Sequence, residues 1–401
     1  MDERKLSEIA VWATKAGLAG RPETEMLSGF CERLLGAEMP VARGIVFIDT
    51  LHPIHEGHAI RWERNKAEAS LQGYGRTSTG PAAENWQRSP FYRMLQSGES
   101  ILRRRVTPEA AEEFPIVQEI LAQGMTDYIC AVNRFAPEGV IGEMDCVYSA
   151  WTTDHPQGFR DENVQDLRKL LPFLALSMKC ATLGKLAATL VETYLGRDAG
   201  RMVLGGRIAR GVADRIDTVL WFSDLRGFTK ITDTSPPEQV IPLLNDYAEA
   251  VISAVHESGG DVLKLIGDGV LAIFRADTRE TACRSAISAA KAAKRAIATL
   301  NERRGTEGLP TTHMYLGLHV GEVFFGNVGS SSRLDFTVIG PAVNEVSRIS
   351  QMCRSVDQGF LASAAFAGAL GAEGPQLISV GRYALRGVGA PQELFTLDPG
   401  G

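Results

Sequence analysis

The spacing of apolar positions changes character about half-way along the chain. In the first half, residues 24–36 (TEMLSGFCERLLG) set Met26, Leu27, Phe30, Leu34 and Leu35 at helical intervals. GIVFID (44–49), SILRRR (100–105), DYICAVNRF (127–135) and DCVYSAW (145–151) are short β-branched or aromatic runs bounded by Gly, Pro or charge, and read as strands. Together they predict an α+β layer, a sheet with helices at one side. From Asp161 to Leu195 the pattern is helical, with Leu167, Leu170, Leu171, Leu174, Met178, Leu186 and Leu190 spaced by mixed threes and fours. A helix packing on its own domain and on a partner copy has that spacing, as does a plain domain-terminal helix. The segment 196–211 (GRDAGRMVLGGRIARG) then reads as a glycine-rich joint.

Beyond Asp217 strands and helices alternate clearly. Strands are predicted at 218–224, 261–267, 269–275 and 313–329, and helices at 238–259, 278–303 and 342–354; FLAS and YALRG…ELFTL form a last pair. The expected division is a regulatory domain at 1–185, a helical and Gly-rich linker at 186–215 and a second domain at 216–401. The helix at 278–303 and its end carry Arg284, Lys291, Lys294, Arg295, Arg303 and Arg304, read as a solvated basic face in preference to a nucleic-acid stripe.

A chain of 401 residues is long enough for two cores, and 44% hydrophobic with 22% charged residues excludes wholesale disorder. The net charge of −6 leaves no global basic field for nucleic acid, so an anionic substrate needs a local device such as a metal or a helix N-terminus. The six cysteines stand singly and read as reduced thiols, the start MDERKLSEIA lacks a signal-peptide core, and no uninterrupted apolar run nears a membrane span. A cytoplasmic protein is expected.

Three segments of the second half put polar residues where a buried sheet would want none. FSDLRGFT (222–229) ends an apolar strand on Asp224 and turns through Gly227 to Thr229, just ahead of the next helix. A strand-end carboxylate beside a glycine loop can seat a divalent metal next to backbone N–H groups that take a polyphosphate. KLIGDG (264–269) sets Asp268 at a hairpin tip; alone it is an ordinary turn, but with Asp224 on the same sheet it makes a pair able to chelate two metal ions. TVIGPAVNEVSR (337–348) runs from strand into helix with Asn344 and Arg348 four apart on one face.

In order and spacing, FSDLRGFT, KLIGDGVLAIF and GEVFFGNVGSSSRLDFTVIGPAVNEVSR closely resemble the catalytic domain of class III nucleotidyl cyclases over about 216–398. The resemblance implies a ferredoxin-like βαββαβ domain converting ATP to 3′,5′-cyclic AMP and pyrophosphate with two Mg²⁺ or Mn²⁺ ions. Asp224 and Asp268, with Leu225, match the metal-binding positions, and Leu225, Arg226, Gly227, Phe228 and Thr229 the triphosphate loop. Lys264 and Thr337 match the base-reading pair, Asn344 the ribose-orienting residue, Arg348 the residue that stabilises the α-phosphate, and Arg386 a C-terminal basic residue facing the phosphates. Guanylyl cyclases of the family place Glu and Cys or Ser at the base-reading positions, so ATP is favoured. Thr337, where many members have Asp, marks a subgroup often stimulated by bicarbonate, and Pro341 replaces a common acidic residue at a helix start that tolerates proline. The family's sites are shared across a head-to-tail dimer, so a homodimer with two composite sites is implied.

The N-terminal pattern, with GFRDENVQDL opening the long helix, resembles a GAF-type sensory domain, an α/β sandwich whose small-molecule ligand is not legible. His52, His55 and His58 (LHPIHEGH) invite a metal or haem reading, against which Pro53 and Gly57 argue for a loop. The GGD at 259–261 is similar to the start of the GGDEF motif, but Val262 and Leu263 follow it. A cyclase for GTP or a pyrimidine nucleotide, and an inactive dimerising module, are the alternatives.

Overall fold

The computed structural model describes residues 1–53, 55–142, 144–371 and 377–397; residues 398–401 of the expected second domain lie outside them. The chain divides into two compact units, Met1–Leu190 and Val191–Gly401.

In the first unit α1 (Glu3–Leu18) and α2 (Glu23–Gly36) lead into β1 (Arg43–Asp49), β2 (Gly57–Glu63) and β3 (Ser70–Tyr74). Then come α3 (Gly80–Gln87), α4 (Pro90–Ser97), β4 (Ile101–Arg105), α5 (Pro108–Glu113), α6 (Pro115–Ala122), β5 (Asp127–Arg134), β6 (Cys146–Thr153) and α7 (Asp161–Leu195). The six strands form an antiparallel sheet in the order β3-β2-β1-β6-β5-β4. Every residue of β6 is buried, because both faces of the sheet are covered. One face carries Val147 and Trp151 into a core with Phe30, Leu34, Leu167, Leu170 and Leu174; the other carries Tyr148 and Ala150 toward Phe91 and Met94.

Helices α1 and α3 to α6 and strands β2 and β3 escape the sequence pattern, since they are short, part-exposed or, like α1, polar over most of their surface. α1 is instead fixed by Asp2, whose side chain accepts the Lys5 N–H at 2.7 Å. An 18-residue window of α7 reaches a mean hydropathy of 1.4, enough by length and composition for a membrane span. A third of that window is buried, and Leu167, Leu170, Leu171, Leu174 and Met178 of the helix pack into the first unit's core.

The second unit runs α8 (Arg197–Leu204), β7 (Ala213–Leu225), α9 (Phe228–Thr234), α10 (Pro237–Glu257), β8 (Gly260–Ile266), β9 (Gly269–Phe274) and α11 (Arg279–Thr306). It continues with β10 (Met314–Gly329), β11 (Leu334–Ile339), α12 (Pro341–Ser355), β12 (Phe360–Ser363), α13 (Ala364–Ala369), β13 (Leu377–Tyr383) and β14 (Gln392–Leu397). The sheet order is β13-β14-β12-β10-β7-β9-β8 with β11 on β10, so β10-β7-β9-β8 and their helices have the βαββαβ arrangement. Alanines 286, 289, 290 and 293 let α11 lie close on one sheet face beside α10.

Three expectations need correcting. The glycine-rich joint contains a helix, α8, because Ala199, Met202 and Val203 recur at helical spacing toward a core, and Gly200 lets the backbone of Glu192 approach. The last pair is displaced: β13 ends at Tyr383, and Leu385 inserts into a small core from the turn that follows. Arg304 is not on the basic outer face, for it is 2% exposed, donating to Asp246 at 2.5 Å and to the Pro310 carbonyl at 2.9 Å.

α12 lies directly on β10 at Gly317, where a Cβ would come within 2.7 Å of the Val346 carbonyl and 2.6 Å of the Ser350 nitrogen, both backbone. Gly317→Ala is therefore expected to push α12 off the sheet, lowering stability by about 1–3 kcal/mol. An unchanged melting temperature would refute this contact as the one that seats the helix.

Candidate active site

β7 buries Val219 and Trp221 on one sheet face and Leu220 on the other, and carries the half-buried Asp224 one residue before its end at Leu225. The β8–β9 hairpin turns through Gly267 and Asp268, Gly267 in the left-handed region at φ +64°. Asp268 Oδ2 there accepts the Leu225 N–H at 3.0 Å, which fixes the hairpin tip beside the strand end. Burial first, and the neighbouring Asp268 second, push the Asp224 carboxyl up to about 6. Its Oδ1 is buried with no hydrogen-bond partner. A cleft of about 170 Å³ opens at the two carboxylates, with Leu265, Asn245 and Met314 in its wall.

Two like charges, one with an unpartnered buried oxygen, are an arrangement that a divalent cation would relieve, so the residues present fit a metal. The folded Asp224 titrates above the usual 3.8, so its ionisation opposes folding: stability is full below about pH 4 and is lost as pH rises through about 6. Without metal, Asp224→Asn is expected to melt higher than wild type above pH 6 and at the same temperature near pH 4. Mg²⁺ should stabilise wild type on the alkaline side and the variant little. Calorimetric melting across that range checks this, and a wild type more stable than the variant at pH 7 without metal would contradict it.

The loop after Asp224 is tied down by its backbone. Arg226 N–H donates to the His313 carbonyl at 2.8 Å and Thr312 Oγ1 donates to the Arg226 carbonyl at 2.6 Å. Gly227, at φ +70°, turns the chain into α9, leaving Thr229 exposed in the first turn while Phe228 leans on the core. The Arg226 side chain lies 3.6 Å from Asp357.

A second group of residues gathers on β8 and β11. Phe336 and Val338 enter the core, so alternation turns Asp335, Thr337 and Ile339 to the other face. Lys264 on β8 donates to Asp335 on β11, two positions from Thr337 on that face, so this contact joins the β8–β9 hairpin to the β10–β11 hairpin. Thr337 is itself buried. Asn344 and Arg348 sit one turn apart on α12 behind Pro341 at its first position, Arg348 donating to Gln351 at 2.8 Å. Among the described residues no hydrogen bond or ion pair joins Asn344 or Arg348 to Asp224 or Asp268. Arg386 is exposed in the turn after β13.

Sequence reasoning missed Asp335 as the partner of Lys264, and a buried support behind α12. His319 Nδ1 is 2.8 Å from Ser363 Oγ and 3.8 Å from Glu345, the neighbour of Asn344. Burial lowers His319 to about 4, so it is neutral at pH 7. A lone histidine inside the apolar LGLHVG run was the available signal. In the first unit His52 and His55 stack in a loop and His58 lies on β2; no metal-ligand cluster of three is present among the described residues.

Residues 212–396 match the family model of the adenylate and guanylate cyclase catalytic domain. An adenylate cyclase of Anabaena cylindrica is 37% identical over 148 residues, 36% of this chain and 29% of that protein. Adenylate cyclase 1 of Rhizobium meliloti is 32% identical over 166 residues, 40% and 24% respectively. The chain thus matches less than a third of the length of these relatives. Among solved structures, the adenylyl cyclase CyaB from P. aeruginosa is similar at 24% identity and a TM-score of 0.44, over 47% of this chain and 96% of that one. The likeness to adenylate and guanylate cyclase catalytic domains thus falls on residues 212–396, within the second unit.

Proposed function

We propose that the adenylyl/guanylyl cyclase domain at residues 212–396 converts ATP to 3′,5′-cyclic AMP and pyrophosphate in a homodimer regulated through residues 1–190. The observation that carries this reading is the carboxylate pair Asp224 and Asp268, held together by the Leu225 N–H and bearing a buried, unpartnered oxygen. Asp224, Asp268 and the Leu225 backbone would hold two Mg²⁺ or Mn²⁺ ions. When bound, such ions acidify the 3′-hydroxyl and neutralise charge on the departing pyrophosphate.

The chain's own groups do the remaining work. Backbone N–H groups from Leu225 to Thr229 bind the phosphates, and Arg386 adds a cation near them. Asn344 orients the ribose so that its 3′-oxygen faces the α-phosphorus. As that oxygen bonds to phosphorus, the bond to the β-phosphate oxygen breaks, and Arg348 stabilises the charge spreading over the α-phosphoryl oxygens. The 3′-hydroxyl proton is lost to solvent. Lys264 donates to N1 of adenine and Thr337 accepts from the 6-amino group; guanine carries a hydrogen at N1 and would oppose the lysine.

The lack of any link between Asn344 or Arg348 and the two aspartates within one chain supports sites completed by a partner copy. Exposed apolar side chains support it too: Leu265 and Ile266 on β8, and Phe324 opposite Ile339 on the β10–β11 hairpin. The six-stranded antiparallel sheet covered by helices supports a GAF-like sensory unit at the N-terminus.

Purified chain incubated with Mn²⁺ and each of ATP, GTP, CTP and UTP should yield cyclic AMP as the main product by mass spectrometry. No cyclic product from any of the four would overturn the enzyme reading, and a different main product the substrate assignment.

A further inference from the structure

A cavity of about 540 Å³ in the first unit lies on the sheet face formed by β1, β2, β5 and β6 beneath α3, α4 and α6. Its floor changes character in rows across the strands. At one end Arg43 on β1 pairs in register with Thr152 on β6, and Thr152 with Tyr128 on β5. Two residues further along lie Ile45 and Ala150, and after them Phe47 and Tyr148. Rings continue this middle zone as a wall, with Phe91 5.2 Å and Trp86 5.5 Å from Tyr148. The far end is acidic but closed upon itself: Tyr74 donates to Asp49 at 2.5 Å, and Thr77 donates to Glu56.

The Arg43 end is left open in hydrogen-bonding terms. Arg43 is 7% exposed, and burial lowers its guanidinium from the usual arginine value. Nη1 donates to Gln123 Oε1 at 2.7 Å, but Nε is buried without a partner, and among the described residues no carboxylate forms an ion pair with the group. Thr152, 2% exposed, likewise leaves its Oγ1 without one. Buried donors are seldom abandoned, and leaving such a group unsatisfied is costly. A guanidinium edge and a hydroxyl side by side match the two oxygens of a carboxylate. Arg43 is the buried cation of this lining and balances one negative charge; Arg61 and Arg88 also line the cavity but are exposed to solvent, and Glu119 beside them opposes a second negative charge.

We propose that this cavity binds a small aromatic carboxylate, its acid group on Arg43 and Thr152 and its ring between Phe47, Phe91, Trp86 and Tyr148. The site is independent of the cyclase reading, and its test reads binding alone.

The full chain is titrated calorimetrically with 1-naphthoate, 1-naphthamide and 1-naphthyl phosphate, which share a ring and differ in charge. Naphthoate is expected to bind at least tenfold more tightly than either of the others. Arg43→Gln should erase that preference. Thr152→Val, nearly the same shape without the orphan hydroxyl, should weaken naphthoate several-fold while leaving the melting temperature of the free chain equal or higher. This second variant keeps the test decisive if Arg43→Gln does not fold. No binding of naphthoate, equal binding of the amide, or unchanged naphthoate affinity in Thr152→Val would overturn the proposal; tighter binding of the phosphate would overturn its monoanion assignment.

Discussion

Asp224→Ala chains and Arg348→Ala chains should each be nearly silent alone and active when mixed. Losing Asp224 removes half of the carboxylate pair and the unpartnered oxygen that would ligate metal, so turnover should fall on the order of a thousandfold. Losing Arg348 removes the cation proposed to meet charge at the α-phosphate, a loss of about a hundred- to a thousandfold. In a head-to-tail dimer of one mutant chain of each kind, one site carries both lesions and the other neither. Random exchange makes half the dimers mixed, so roughly a quarter of wild-type activity should return. Activity in the mixture no greater than the sum of the parts, with subunit exchange verified, would refute the shared site.

The second large effect concerns the choice of base. Lys264→Glu combined with Thr337→Cys should reverse the donor and acceptor pattern and move preference from ATP toward GTP by about a hundredfold or more. Unpaired polar groups facing the wrong base are costly to bury, and Thr337 is buried. The readout is the ratio of kcat/KM for the two nucleotides, and an unchanged ratio would remove the base-reading roles of both residues.

Much of the second unit's pattern was legible because its chemistry interrupts strong local signals. Asp224 ends an apolar strand, Asp268 tips a two-residue hairpin turn, and Asn344 and Arg348 share a helix face behind a proline. What could not be read was tertiary: the hydrogen bond that brings the two aspartates together spans 43 residues, and the Lys264–Asp335 pair spans 71. Glycine misled at α8, where Gly200 gives close packing inside a helix rather than a loose joint. Arg304 misled because helical spacing counts a residue as outward without knowing that Asp246 and Pro310 await it. In the first unit, the cavity's polar end depends on the register that pairs Arg43 on β1 with Thr152 on β6, far apart in the chain, which no local pattern encodes.

The ion pair between Lys264 and Asp335 gives nucleotide entry the form of an exchange. If Lys264 reads adenine, the base must first displace a tethered carboxylate that is always present at high local concentration, so part of the lysine's attraction is spent before any substrate is gained. Weak ground-state affinity for the base is then built into the ion pair between β8 and β11, and releasing Asp335 becomes a step on which conformational control of the β10–β11 hairpin acts.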